Sequence, residues 1–195
     1  MSNKKLIGIT GGIGAGKSII CSIIHATGYP VFYSDKAAKE ILNSNEDVKT
    51  KIREIFGVEA YKNEELNRPF IAQKIFTDQN LLTAINNVVH PAVGQSFSNW
   101  AEKQTTTLVF NEAAILFETG AYKLYDATVL VTAPEAIRIE RVMKRDHISA
   151  EAVHKRINKQ WPDAEKENLA DHVLINDNST LLIPQVNNLI AKLNS

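Results

Sequence analysis

The chain has 195 residues with 22 basic and 22 acidic side chains and a pI near 7. This length allows one α/β core with small insertions, and the balanced charge argues against a general binder of nucleic acid or of membrane surfaces. The single cysteine, Cys21, excludes an internal disulfide and favours a reducing compartment, so we expect a cytoplasmic protein. Because the first predicted strand begins almost at the N-terminus and no apolar run reaches bilayer length, we expect neither a signal peptide nor a membrane segment.

A glycine-rich segment follows the first predicted strand, residues 6–10, and precedes a predicted helix that begins at Lys17. It matches the pattern G-x-x-x-x-G-K-[ST], in which free glycine backbone wraps a phosphate, an ammonium reaches the β and γ phosphates, and a hydroxyl holds Mg²⁺. The exposed amides and dipole of the helix N-terminus add to the attraction. We therefore predict ATP binding by this phosphate loop and the next residue, with Ser18 as the Mg²⁺ ligand: Gly11, Gly12, Ile13, Gly14, Ala15, Gly16, Lys17, Ser18 and Ile19.

Further apolar runs alternate with helical stretches along the chain. Continuous apolar strands separated by helices are typical of a parallel sheet covered on both faces and joined by right-handed crossovers. The fold class is therefore α/β, a three-layer P-loop NTPase fold with a five-stranded parallel sheet in one domain. The remaining predicted strands are residues 31–33, 106–110, 128–132 and 172–175, and a helical stripe of Leu182, Val186, Leu189 and Leu193 predicts a C-terminal helix on the sheet.

Two segments are too long to be simple crossovers. Residues 36–104 are predicted to hold a helical insertion, in which Pro91 should bend or break a helix over 81–100. Residues 138–165 are predicted to form a lid, because seven basic side chains against three acidic ones lie between Arg138 and Lys159 in a neutral chain. Such a cluster also suits a solvated helix face, but a phosphate loop elsewhere in the chain favours a cationic lid over polyphosphate.

A carboxylate, Asp35, lies just past the second predicted strand. Ligands of open parallel sheets sit at the carboxyl ends of the strands, so Asp35 is placed to face the γ-phosphate as a base. An equally good alternative is that Asp35, or Ser34, caps the helix predicted over 36–42.

The phosphate loop by itself does not choose among nucleotide-dependent proteins. The guanine-reading pattern N-K-x-D is absent, which disfavours a GTP switch. Glu112, after an apolar strand, either serves Mg²⁺ indirectly, as in ATPase motors, or only ends the strand. A cavity for an acceptor, a carboxylate and a cationic lid that excludes water have candidates here, which favours a small-molecule kinase.

In motif order, the chain resembles the dephospho-CoA kinase family over nearly its whole length. Residues 9–18 match L-T-G-G-I-G-S-G-K-S, and Asp35 falls on the last position of D-A-D. The other matching segments are Leu66-Asn67-Arg68 with Ile75-Phe76, His90-Pro91, Ala114-Ile115-Leu116-Phe117-Glu118, Arg141 to Asp146 as R-x-x-x-R-D, and Gln160-Trp161-Pro162. The chain departs from the family in Ala114 for proline, Ile19 for threonine, and Tyr33-Ser34-Asp35 for D-A-D.

The resemblance implies Mg²⁺-dependent transfer of the ATP γ-phosphoryl group to the ribose 3′-hydroxyl of dephospho-CoA, the last step of CoA synthesis. It implies a small-molecule partner, with no nucleic acid, membrane or obligate protein partner. The implied catalytic residues are Asp35, Lys17, Arg141 and Arg145, the implied acceptor-binding residues are Asp35, Arg68, His90, Leu116, Phe117 and Glu118, and Asn176 is placed near the adenine of ATP. The alternatives are a nucleoside or nucleotide monophosphate kinase and a nucleotide-dependent switch.

Overall fold

The computed structural model describes residues 4–195. Residues 1–3, on which the expectation of no signal peptide partly rests, lie outside the described residues. The described chain divides into two compact units, residues 4–32 with 104–195 and residues 33–103. We call them the phosphate-loop unit and the helical unit.

The strands and helices of the described chain have the following bounds. The strands are β1 (Lys5–Thr10), β2 (Val31–Tyr33), β3 (Tyr61–Lys62), β4 (Glu65–Leu66), β5 (Leu108–Glu112), β6 (Ala127–Thr132) and β7 (His172–Ile175). The α-helices are α1 (Lys17–Ala26), α2 (Ser34–Ser44), α3 (Glu46–Phe56), α4 (Arg68–Thr77), α5 (Gln79–Glu102), α6 (Glu135–Asp146), α7 (Ala150–Ile157), α8 (Asp163–Glu167) and α9 (Leu182–Asn194). Within this described range, no helix is long and apolar enough to cross a bilayer.

A five-stranded sheet organises the phosphate-loop unit, with the strand order β2-β5-β1-β6-β7. The central strand β1 pairs in parallel with β5 and with β6, and β6 pairs in parallel with β7. The predicted α/β fold with its parallel sheet is confirmed. The strand predicted over 106–110 begins later, since the Thr106 hydroxyl donates to the Leu108 carbonyl, and it extends to Glu112.

The core of this unit lies between the sheet and the helices α1 and α9. Ile7 and Ile9 of β1 are fully buried, and so are Ile20 and Ile24 of α1. The predicted C-terminal helix is confirmed, since α9 buries Val186, Leu189 and Leu193 in the same cluster. Cys21 belongs to this core, and burial raises the pKa of its thiol to about 12, which agrees with a packing role.

The helical unit has an apolar core of its own. Its buried side chains come from α3, α4, α5, the short 3₁₀ helix Val58–Ala60 and the strand β3: Val48, Ile52, Phe56, Ala60, Tyr61, Ile71, Ile85 and Val89. The helix α5 continues through Pro91, so a break at that residue is wrong, while the alternative of a bend stays a prediction. An interior proline costs about 3 kcal/mol or more, but α5 packs against α2, α3 and α4, and this burial outweighs the lost bond.

Candidate active site

The phosphate loop, residues 11–18, joins β1 to α1 in a conformation that requires glycine. Gly14 and Gly16 have φ of 81° and 91°, in the left-handed region. A Cβ at Gly16 would lie 2.1 Å from Asn176 Nδ2, and one at Gly14 would lie 2.5 Å from the Arg138 carbonyl oxygen. The glycines therefore serve both the turn of the loop and the close approach of neighbouring residues.

Lys17 is the loop residue with the strongest electrostatic partner. Its Nζ donates to the Gly11 carbonyl at 2.9 Å and lies 3.8 Å from Glu112 Oε1. Both side chains are only 14% exposed. Glu112 reaches this place because β5 pairs beside β1, with Ile9 opposite Glu112. The carboxylate that the sequence left ambiguous thus pairs with the lysine of the loop.

Ser18 and Ile19 form the first turn of α1 and are exposed. The Ile19 amide, which we expected at the phosphates, donates to the Gly16 carbonyl at 3.1 Å. Among residues 4–195, no group of three or more His, Cys, Asp or Glu side chains could hold a metal ion. The exposed Ser18 hydroxyl is an oxygen donor that suits Mg²⁺ at a nucleotide, because this ion usually takes one or two protein oxygens and fills its other positions with phosphate and water.

Arg141, on α6, lies against the phosphate loop. Its guanidinium donates to the carbonyls of Gly14 at 3.3 Å and Ala15 at 3.5 Å, and to the backbone and side-chain oxygens of Asn176 at 3.0 and 3.1 Å. The Asn178 side chain is a further acceptor. No swing of a lid is needed to bring Arg141 to the loop.

Asn176 is buried, and both ends of its carboxamide are engaged. Its Oδ1 accepts from Arg141, and its Nδ2 donates to the Ala15 carbonyl at 2.9 Å. In this structure one N–H of its carboxamide and its Oδ1 bond to protein atoms, so Asn176 holds the loop and orients Arg141. Its placement near the adenine of ATP stays a prediction.

Arg138 is buried, although the sequence counted it among the lid cations. Its Nε donates to the Ile13 carbonyl at 2.9 Å and its Nη1 pairs with Asp163 Oδ2 at 2.7 Å. The Thr132 hydroxyl donates to the same carboxylate oxygen at 3.3 Å. This residue braces the phosphate loop and contributes no free charge to a lid.

Arg145 forms an ion pair within the predicted lid. Its Nε lies 2.7 Å from Asp146 Oδ1, and Arg156 pairs with the other oxygen of that carboxylate. The hydrogen bond from Arg145 lowers the pKa of Asp146 to about 2, and Arg156 adds to the effect. Asp146 therefore offsets part of the positive charge that the sequence assigned to this segment.

The segment 114–118 follows β5. Leu116 and Phe117 are 2% and 1% exposed, so their side chains pack in the core. The Glu118 side chain is 12% exposed, its Oε1 accepts from the Trp161 amide at 3.2 Å, and it lies 3.1 Å from Nζ of the fully buried Lys166. Of the three predicted acceptor-binding side chains here, Glu118 is the one that carries a charge, and this charge is largely buried beside Lys166. Their acceptor-binding roles stay predictions.

The other predicted acceptor residues belong to the helical unit, and all three are exposed. Asp35 lies in the first turn of α2, whose N-cap is Tyr33, so capping by Asp35 or Ser34 is wrong. Arg68 is the first residue of α4, where the preceding Asn67 side chain accepts from the Phe70 amide. His90 lies inside α5 and not at a helix end, and partial shielding from water lowers the pKa of its imidazole.

The sequence reasoning missed the roles of Arg138, Asp163 and Lys166. Arg138 had been read as a surface charge, and neither Asp163 nor Lys166 had been singled out. Each is paired with a residue at least 25 positions away. A charged residue spaced like the apolar residues of a helix is the signal that could have found Arg138. It stands four positions before Val142, and both lie on the buried face of α6.

Three comparisons place the chain among known proteins. It matches the dephospho-CoA kinase family model over residues 5–181. A Bacteroides fragilis protein named dephospho-CoA kinase is 36% identical over 186 residues, which cover 95% of this chain and 91% of that protein. The structure of TT1252 from Thermus thermophilus is similar with a TM-score of 0.87 and 34% identity, covering 97% of this chain and 98% of that one. A dephospho-CoA kinase from Campylobacter jejuni has a TM-score of 0.70 and 25% identity, covering 99% and 98%. The phosphate loop, Arg141 beside it and the family match over residues 5–181 agree, and the chain belongs to the dephospho-CoA kinase family.

Proposed function

We propose that this chain transfers the γ-phosphoryl group of ATP to the 3′-hydroxyl of dephospho-CoA and releases CoA and ADP. The observation that carries the proposal is a complete phosphate loop, which includes Lys17 and has Arg141 against it, in a chain of this family. In the reaction, the bond between the β–γ bridging oxygen and the γ-phosphorus breaks, and a bond from the 3′-oxygen to that phosphorus forms. The proton of the hydroxyl is accepted by a base.

The loop residues act on the donor. Backbone amides between Gly12 and Ser18 cradle the β-phosphate, and Lys17 bridges oxygens of the β and γ groups. Glu112 holds the Lys17 ammonium near the Gly11 carbonyl until a phosphate takes it. Ser18 is the residue that would hold Mg²⁺, which offsets the charge of the phosphates when it is bound.

Arg141 is the cation that we assign to the transferring group. Its place is set by Asn176, Asn178 and two loop carbonyls, so its charge is fixed before the nucleotide arrives. A fixed positive charge stabilises the charge spread over the equatorial oxygens without reorganisation during transfer. Arg145, held by Asp146, is assigned a supporting role in the same lid.

Asp35 is the base in this proposal. It would orient the 3′-hydroxyl and accept its proton. Arg68 and His90 of the helical unit would hold the acceptor, together with Leu116, Phe117 and Glu118. Asp35, Arg68 and His90 suit this task because they are exposed on helices and available to a ligand. Leu116 and Phe117 are buried, so their part would be to shape the segment 114–118.

The test is phosphoryl transfer from MgATP to dephospho-CoA, run beside AMP, CMP, adenosine and no acceptor. The position of the new phosphate is read by NMR. We expect CoA as the product, with the other acceptors at least about 100-fold slower, because the acceptor contacts are specific. Turnover of a monophosphate with dephospho-CoA inert would support a nucleotide kinase instead, and slow turnover with every acceptor would support a nucleotide-dependent switch.

A further inference from the structure

One glutamine side chain bridges the phosphate loop and the segment 114–118. Gln160 Oε1 accepts from the Ile13 amide at 2.8 Å, and its Nε2 donates to the Ala114 carbonyl at 3.2 Å. The carboxamide is planar and rigid, so the two bonds hold Ile13 and Ala114 apart by the width of one amide group. The loop on the donor side and the segment assigned to the acceptor are therefore joined through one side chain.

The backbone around Gln160 is held to the same elements. The next amide, that of Trp161, donates to Glu118 Oε1 at 3.2 Å. On the loop side, the Ile13 carbonyl accepts from Arg138 Nε at 2.9 Å, so both polar groups of Ile13 have partners from the predicted lid segment. Gln160 consequently sits in a rigid frame and is half-buried. A rigid frame is what a spacer between two substrates needs.

A cavity lies beside the bridge. It has a volume of about 690 Å³, and its lining includes Gln160, Arg138, Trp161 and Asp163. Removing the carboxamide would enlarge this cavity and would leave the Ile13 amide and the Ala114 carbonyl without their Gln160 partner. Water could then approach the loop, where it competes with the acceptor hydroxyl for the phosphoryl group.

We propose that Gln160 is a positioning residue that sets the spacing between the phosphate loop and the acceptor segment, so that the phosphoryl group goes to the acceptor and not to water. The inference rests on the proposed function, since it assumes that segment 114–118 borders the acceptor. Gln160 acts through Ile13 and Ala114 and is not a catalytic residue. Transfer to water would form inorganic phosphate by the same bond cleavage, with a water oxygen in place of the 3′-oxygen.

The experiment compares two rates in wild type and in Gln160→Ala: transfer to dephospho-CoA, and release of phosphate from MgATP with and without the acceptor. We expect the transfer kcat to fall about 10- to 100-fold, the size of effect that a misplacement near 1 Å produces. We expect phosphate release to stay equal or rise, so that the ratio of transfer to hydrolysis falls at least about tenfold, while both KM values change less than about threefold. Gln160→Glu keeps an oxygen that accepts from the Ile13 amide and loses the N–H that donates to the Ala114 carbonyl. Its ratio of transfer to hydrolysis should therefore lie between those of wild type and Gln160→Ala.

Gln185 provides the matched control. Its carboxamide also accepts from one backbone amide and donates to backbone carbonyls: it accepts from the Ile175 amide at 2.9 Å and donates to the carbonyls of Ile175 at 2.8 Å and Leu181 at 3.2 Å. Gln185→Ala should leave the ratio of transfer to hydrolysis unchanged. Thermal unfolding of each variant reports whether it folds, and Gln160→Glu carries the test where Gln160→Ala does not fold.

The outcomes separate the inference from the proposed function. A ratio that stays at the wild-type value in folded Gln160→Ala and Gln160→Glu, with both rates lowered equally or not at all, overturns the positioning role. If wild type does not phosphorylate dephospho-CoA but phosphorylates another acceptor, the proposed function fails, and the same ratio measured with that acceptor still decides the role of Gln160.

Discussion

The two units of the chain hold their polar residues in different ways. In the phosphate-loop unit, loop atoms bond to residues far away in sequence: Ile13 is 147 positions from Gln160 and 125 from Arg138, and Ala15 is 161 from Asn176. In the helical unit, the candidate residues Asp35, Arg68 and His90 are exposed on helices. The donor side is thus built from long-range bonds, while the acceptor candidates are displayed on a surface. Substitutions on the donor side should alter stability as well as chemistry, and those at the exposed candidates should alter chemistry alone.

The largest effect on turnover is expected for Arg141→Ala. Loss of the cation fixed at the phosphate loop should lower kcat by about 10³-fold or more, as the removal of an essential arginine does in phosphoryl transfer, with a smaller change in ATP affinity. Steady-state kinetics and calorimetric ATP titration measure the two effects. Lys144→Ala, an exposed cation on the same helix, is the control. A fully active Arg141→Ala would remove this residue from the mechanism.

Asp35→Asn should come next, with kcat lower by about 10²- to 10⁴-fold, because the base can no longer accept the proton. Since Asp35 is exposed, its replacement should leave the midpoint of thermal unfolding and the affinity for ATP near the wild-type values. Glu40→Gln, an exposed carboxylate on the same helix, is the matched control. Equal loss of turnover and ATP binding would contradict the assignment of Asp35 as the base.

Loss of a buried ion pair at the phosphate loop should lower the free energy of unfolding more than loss of an exposed pair. Arg138→Met leaves Asp163 without its ion pair, and the free energy of unfolding should fall by about 3 kcal/mol, the usual result of breaking a buried pair. Lys155→Ala removes the exposed pair with Glu151 and should cost at most about 0.5 kcal/mol. Urea unfolding measures both values. Equal values for the two variants would show that burial of Arg138 does not matter to stability.

Cys21 takes no part in the proposed reaction, so its prediction concerns the reactivity of the thiol and not turnover. Because burial raises the pKa of the thiol to about 12, the folded protein at pH 8 has almost no thiolate, and alkylation by iodoacetamide should be slow. In urea the pKa returns toward its usual value near 9, so alkylation should speed up by at least about 100-fold. Mass spectrometry of the labelled chain over time measures both rates. Fast labelling of the folded protein would mean that Cys21 lies in a region that opens readily.

Local patterns in the sequence predicted much of this fold. The strands β1, β2, β6 and β7 and the helix α9 lie where apolar runs and a helical stripe placed them. The break at Pro91 failed because packing of a long helix overrode a local preference. Capping by Asp35 failed because α2 begins at Ser34, two residues before the start at residue 36 that this alternative required. The helix α3 was not predicted, although Asn45, whose side chain accepts from the Val48 amide, and Gly57 mark its two ends.

The sequence by itself determined that this protein binds nucleotide phosphates and belongs with phosphate-loop kinases. It could do so because eight consecutive residues carry the chemistry of the loop, and a motif of consecutive residues can be recognised without knowing the fold. Only the tertiary structure decided the strand order, the pairing of Lys17 with Glu112, the burial of Arg138 and the bridge through Gln160. Each of these depends on which strands lie side by side and on residues brought together from distant parts of the chain. A hydrophobic pattern specifies which faces are buried, but it does not specify which polar partners will meet there.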